Sequence, residues 1–269
     1  MSSKTYVVSW DRVYDNSLAI EKQLVKAGLD YLIYNDSSEP DLNSNWIRAD
    51  KVFFLGHLYN SMKDFLESGK DVFIFNAGDP IYDDYESLTR KAEKLFKDNP
   101  DVWAYAPSTD GEDVWSWEGS AIARSEVYPG LVLSTHTNAI WLAMSKKLVE
   151  LGIKFFDWMF DRGSFDKHFQ RVNTGWGMDS FFCALSICLG KLVYRDWDIS
   201  VRHDAQTSYD HQRAMQEMEM TVRESIKFAE TLGIDPDRLK GLYNLMYNKV
   251  WTKQPLTVGQ VYGSEDLKY

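Results

Sequence analysis

The feature that most constrains this chain is an alternation of two periods between Thr5 and Ala106. Short β-branched and aromatic runs recur at Thr5–Trp10, Asp30–Tyr34, Lys51–Leu55, Asp71–Phe75 and Val102–Ala106, and each reads as a strand. Between them lie helical stretches, Ser17–Ala27, Ser61–Glu67 and Tyr85–Asp98, the last with an apolar face at Leu88 and Leu95. Strands joined by helices rather than tight turns favour parallel pairing, so the first half predicts an α/β fold. Its expected core is a mostly parallel sheet with helices on both faces.

In such a sheet, ligands collect at the C-terminal ends of the strands. Three polar tips fall there: Asp11, Asn35-Asp36, and Asn76-Ala77-Gly78-Asp79. A turn rich in Asp and Asn also ends many strands with no further role. No Gly-x-Gly-x-x-Gly follows the first strand, and no Gly-rich loop ends in Gly-Lys-Ser/Thr. Two common phosphate cradles are therefore missing.

The middle of the chain changes character. Ser108–Gly119 is acidic, aromatic and turn-rich, Leu131–Ser134 reads as a strand, and Asn138–Leu151 as a helix closed by Gly152. Asp157–Thr174 reads as a mobile connection, and Asp179–Leu189 as an apolar helix that begins at an acid, favourable at a positive helix N-terminus. Leu192–Tyr194 and Ile199–Val201 read as two short strands. Ala214–Leu232 and Asp235–Tyr247 read as amphipathic helices, and the last 18 residues as a loosely held tail.

A formal charge of −10 argues against a general nucleic-acid coat or an anionic-membrane binder, which need basic surfaces. A basic cluster from Lys146 through Lys147, Lys154, Arg162 and Lys167 to Arg171 keeps a DNA acceptor in play. Cys183 and Cys188 read as buried thiols. No run of 18 apolar residues occurs, and Met1-Ser2-Ser3-Lys4 leads straight into a strand, so a soluble cytoplasmic protein without a membrane anchor is expected.

Taken in order, these motifs resemble the GT-A class of nucleotide-sugar glycosyltransferases over roughly residues 4 to 210. The expected fold becomes a GT-A-like, Rossmann-type mixed sheet flanked by helices (residues 1–210), with a helical C-terminal extension and tail (residues 211–269). Asp79 matches the last acid of that class's metal-binding motif, while Ala77 stands where its first acid would be. Trp176-Gly177-Met178-Asp179 resembles the Gly/Trp turn whose acid is the catalytic base of inverting members, and His203 the histidine that completes the metal site. The resemblance implies a sugar donor carried by a nucleoside diphosphate, with UDP expected, and a divalent cation held by Asp79 and His203. One imidazole and one carboxylate suit Mn²⁺ better than Mg²⁺. Asp36 would bind the nucleoside, with Trp10 and Asp11 lining the base pocket. Arg202 would neutralise phosphate, and Arg48 would either do the same or form a salt bridge with Asp50. Asp179 would deprotonate the acceptor hydroxyl of a glycan or a modified DNA base, or position acceptor or sugar in a retaining reaction.

Other residues are more ambiguous. Asp110, Glu112, Asp113, Trp115, Trp117 and Tyr128 suit a sugar surface or a solvated loop equally, and Asp157 and Asp161 flank Trp158. His136 reads as structural, and His57, His168 and His211 have no evident partners. The competing functions are a nucleotidyltransferase acting on a sugar phosphate and a non-catalytic carbohydrate- or nucleotide-binding protein. The first is disfavoured because the loop Asp11–Asn16 has no glycine.

Overall fold

The computed structural model describes residues 1–49, 54–110, 120–137, 140–163, 175–203, 211–252 and 254–269. The first part runs β1 (Ser3–Ser9), a 3₁₀ turn (Asp11–Val13), α1 (Tyr14–Lys26), β2 (Tyr31–Asn35), β3 (Trp46–Arg48) and α2 (Phe54–Glu67). It continues with β4 (Val72–Asn76), β5 (Pro80–Ile81), α3 (Tyr85–Asp98) and β6 (Val102–Asp110). Then follow β7 (Ala121–Arg124), β8 (Leu131–Ser134), β9 (Trp141–Ser145), α4 (Lys146–Asp161), α5 (Met178–Cys188) and β10 (Leu192–His203). The C-terminal extension is α6 (His211–Thr231), α7 (Pro236–Thr252) and α8 (Val258–Tyr262).

All ten strands form one mixed sheet, ordered β3-β2-β1-β4-β9-β6-β10-β8-β7, with β5 paired to β10. The stretch β3-β2-β1-β4 is parallel throughout. Beyond it the sheet turns antiparallel at β9, which lies between β4 and β6, and only β6 and β10 pair in parallel there. Helices flank this sheet, α1 packing with α3 and α2 with α4. β1, β2 and β4 are buried along nearly their whole length, which is why they read as continuous apolar runs rather than alternating ones.

Several sequence expectations need correcting. Lys51–Leu55 is not the third strand: Phe54 and Leu55 open α2, residues 51–53 lie outside the described part, and the strand is Trp46–Arg48. Ser61–Glu67 is only the second half of α2. Of the helix expected at Asn138–Leu151, Trp141–Ser145 is the strand β9, Lys146 opens α4, and residues 138–139 lie outside the described part. Trp141, Leu142, Ala143 and Met144 are all buried, and Ser145 caps α4 by accepting a hydrogen bond from the Leu148 N–H at 3.3 Å. Leu, Ala and Met favour a helix locally, but a segment covered on both faces and paired to two strands obeys its ladder instead. Gly152 does not end the helix. It sits within α4, where an added Cβ would lie 2.3 Å from Met62 Cε and 2.7 Å from Phe182 Cε1, so its role is close packing.

The two short strands at Leu192–Tyr194 and Ile199–Val201 are one strand, β10, with a register shift between Asp196 and Ser200. Asp196 is fully buried there and accepts hydrogen bonds from Tyr105 Oη at 2.6 Å, Asp198 N at 3.0 Å and Ile199 N at 3.2 Å, with Lys91 Nζ at 2.6 Å. The C-terminal tail is docked, with Val258, Val261 and Tyr262 buried, Thr257 and Gln260 forming a capping box, and Glu126 N donating to Tyr269 O at 3.0 Å. Of the expected mobile connection, Asp157–Asp161 is the last turn of α4 and 164–174 lies outside the described residues.

Candidate functional site

The parallel strands deliver their polar tips to one edge. At the β2 end, Asp36 N donates to Ser9 O at 2.7 Å, locking the two strand ends together beside the half-buried Trp10. Asp11 accepts from Ser38 N at 2.6 Å and Ser38 Oγ at 3.0 Å, and these bonds hold its carboxyl below the usual range. Arg48 donates to Ser37 O at 2.5 Å and Glu39 O at 2.7 Å and pairs with Asp41 at 3.1 Å, so its guanidinium clamps the loop after β2. Asp50, its alternative partner, lies outside the described residues.

At the β4 end the chain reverses sharply. Asn76 Oδ1 accepts from Gly78 N at 2.9 Å, and Asn16 Nδ2 reaches from α1 to Gly78 O at 2.6 Å and Pro80 O at 3.0 Å. Gly78 has φ +85°, and a Cβ there would stand 1.9 Å from Val8 O, so only glycine fits. The reversal sends Pro80–Ile81 back as β5, antiparallel to the end of β10, with His203 opposite Pro80 and Arg202 opposite Ile81. Asp79 and His203, 124 residues apart in sequence, thereby meet at 3.0 Å, Oδ2 to Nε2. Asp79 Oδ1 is buried and accepts no hydrogen bond from the described residues. Arg202 is exposed beside this pair.

Asp179 lies in the first turn of α5, behind Gly177, whose φ of +89° starts the helix. Its Oδ1 accepts from Ser180 N at 2.7 Å, and its Oδ2 is 3.4 Å from His136 Nε2. The structure thus pairs each of three candidate acids with an imidazole: Asp79 with His203, Asp179 with His136, and Asp36 with His57 at 3.8 Å. Sequence reasoning missed His57 and His136. Each is far in sequence from its acid and carries no local motif, so pairing in space is the only signal. His57 is 2% exposed, and neither ring nitrogen has a hydrogen-bond partner among the described residues. His168 and the side chain of His211 lie outside the described residues.

Of the acidic aromatic segment, Tyr128 packs edge-on against Tyr194, the Asp110 side chain is outside the described part, and so are Glu112, Asp113, Trp115 and Trp117. In the basic cluster, Lys147 pairs with Glu150 and Arg162 lies 3.8 Å from Glu224 and over the Trp158 ring, while Lys167 and Arg171 are not described.

Among the described residues no group of three or more His, Cys, Asp or Glu side chains gathers as a metal site. The Asp79–His203 pair still fits a divalent cation in part. It offers one carboxylate with an unused buried oxygen and one imidazole, leaving the remaining positions to ligand oxygens and water. Among the described residues no helix is long and apolar enough to cross a membrane.

No protein-family model and no curated protein matches this sequence. Solved structures do. The structure titled GalNAc-T7 with UDP, GalNAc and Mn²⁺ aligns with 86% of this chain at TM-score 0.51 and 10% identity, and the match covers 48% of that chain, so this protein spans about half its length. An apo UDP-glucose pyrophosphorylase aligns with 86% of this chain and 99% of its own at TM-score 0.43 and 10% identity. A glycosyltransferase involved in glycosylation of the PBCV-1 major capsid aligns over 81% of this chain and 100% of its own at TM-score 0.38 and 8% identity. The class defined is the GT-A-like Rossmann fold, with a mixed sheet, flanking helices and a helical C-terminal extension. At this identity the likeness is one of fold.

Proposed function

We propose that this chain is a glycosyltransferase that moves a sugar from a nucleoside diphosphate, UDP in the first instance, to an acceptor hydroxyl. The observation that carries the reading is the meeting of Asp79 and His203 at the sheet edge where β2 also ends at Asp36, with β1 between them. Asp36 takes the nucleoside, with Trp10 and Asp11 beside it. Arg202, exposed next to His203, faces the diphosphate. Asp79 and His203 would hold a divalent cation, Mn²⁺ by its ligand preference, which offsets charge on the departing diphosphate. In transfer, the bond from the sugar's anomeric carbon to the diphosphate oxygen breaks as one forms to the acceptor oxygen. Asp179 takes the acceptor's proton.

The test is release of free nucleotide from a panel of UDP, GDP and CMP sugars with and without Mn²⁺. UDP release stimulated by Mn²⁺ is expected, falling on the order of 100-fold or more in Asp79→Ala and strongly in His203→Ala. Equal release in EDTA would remove the cation. Nucleotide binding with no turnover of any donor would leave a binding protein instead. Asp179→Asn should keep donor binding and lose transfer, and unchanged transfer would take Asp179 out of the reaction.

A further inference from the structure

We propose that His136 is the positioning residue for Asp179, its tautomer set by Ser180. The proposal rests on reading Asp179 as the residue that takes the acceptor's proton.

The argument begins with where each ring nitrogen points. His136 Nδ1 is 3.4 Å from Ser180 Oγ, and Nε2 is 3.4 Å from Asp179 Oδ2. A carboxylate oxygen can only accept, so a bare Nε2 lone pair would face it repulsively. The favourable arrangement has the proton on Nε2, donated to Asp179, with Nδ1 accepting from the Ser180 hydroxyl. Ser180 N meanwhile donates to Asp179 Oδ1 at 2.7 Å. One carboxylate oxygen is then bonded by the α5 backbone, and the other faces the N–H of a buried ring at 3.4 Å. The side chain of Asp179 stays 24% exposed while that of His136 is 7% exposed. The acid therefore reaches a substrate and the imidazole acts only through it. A base fixed in one rotamer presents its remaining lone pairs to an incoming hydroxyl without first losing rotational freedom.

The test combines kinetics with a spectroscopic signature. Water serves as the acceptor, and the donor is whichever UDP sugar the wild type cleaves fastest. His136→Leu should lower kcat by roughly 10- to 100-fold at unchanged donor KM. His136→Gln, whose amide keeps an N–H for Asp179, should recover most of it. Long-range ¹H–¹⁵N correlation on ¹⁵N-histidine-labelled protein should find His136 protonated on Nε2, with that state diluted in Ser180→Ala. A proton on Nδ1 in the wild type, or unchanged kcat in His136→Leu, overturns the proposal. The expected tautomer in a wild type that releases nucleotide from no donor would instead sink Asp179 as the base, and His136's catalytic purpose with it.

Discussion

The two halves of the sheet are built on different rules. In the parallel half, β3-β2-β1-β4, helices carry the chain from β1 to β2 and from β3 to β4, and each acid at a strand end is placed by its own strand. In the other half, β9 runs against both β4 and β6, and β10 collects partners from β5, β6 and β8. Its candidate residues, His203, His136 and Asp179, come from three separate segments. The parallel half therefore offers strand tips where ligands commonly bind, with His57 beside Asp36, and the mixed half brings His203 to Asp79 and His136 to Asp179.

The largest effect on stability is expected at the joint between the halves. Gly78→Ala forces a side chain into Val8 O at positive φ and should cost on the order of 3 kcal/mol or more. Gly190→Ala, at φ +70° with nothing within 4 Å of its Cβ, should cost only about 1 kcal/mol. Thermal unfolding of both variants decides the matter, and equal losses would mean the reversal at β4 is not tightly packed.

Alkaline pH should separate the halves next. Burial raises Cys183 from 9.0 to about 12, Cys188 from 9.0 to about 11, and both Tyr34 and Tyr194 from 10.0 to about 12. For each group the fold favours the protonated form, so its stabilisation is complete below pH 9 and is lost as pH rises through the raised values. The two cysteines, both in α5 beside the mixed half, begin to lose their contribution near pH 9, a unit before Tyr34 of β2 and the likewise raised Tyr6 of β1. Amide protection in β8 and β10 should therefore fall before that in β1 between pH 9 and 11, and simultaneous loss would deny the halves separate stabilities.

A smaller effect tests the parallel half alone. An imidazole buried with neither nitrogen bonded costs roughly 1–3 kcal/mol, so His57→Leu should leave the melting temperature level or raise it while weakening UDP binding through Asp36. A large fall in melting temperature would show that His57 is bonded in solution. Smallest of all, Thr257→Ala removes the cap of α8 and should cost about 1 kcal/mol. No change at all would return the C-terminal segment to the loose tail expected from its sequence.

The parallel half was legible because its signals are local. Tyr85–Asp98 was read with its bounds intact, and Asp36 and Asp79 stood out as acids where apolar runs stop. The mixed half was obscured where long-range pairing overrode local preference. Trp141–Ser145 carries good helix formers yet serves as the strand that reverses the sheet, and the bulge at Asp196 made one strand look like two. His203 was anticipated from its place in the order of motifs. Its contact with Asp79 depends on a two-residue strand, Pro80–Ile81, that carries almost no signal of its own.

By itself, then, the sequence determined an α/β fold, most of the helices, and a polar edge with Asp36 and Asp79 on it, because strand ends and helix periods are written in neighbouring residues. Only the tertiary structure decided which histidine stands against which acid. Those distances are set by sheet order and by the turn at Gly78, and neither is encoded within a few residues of the groups they bring together.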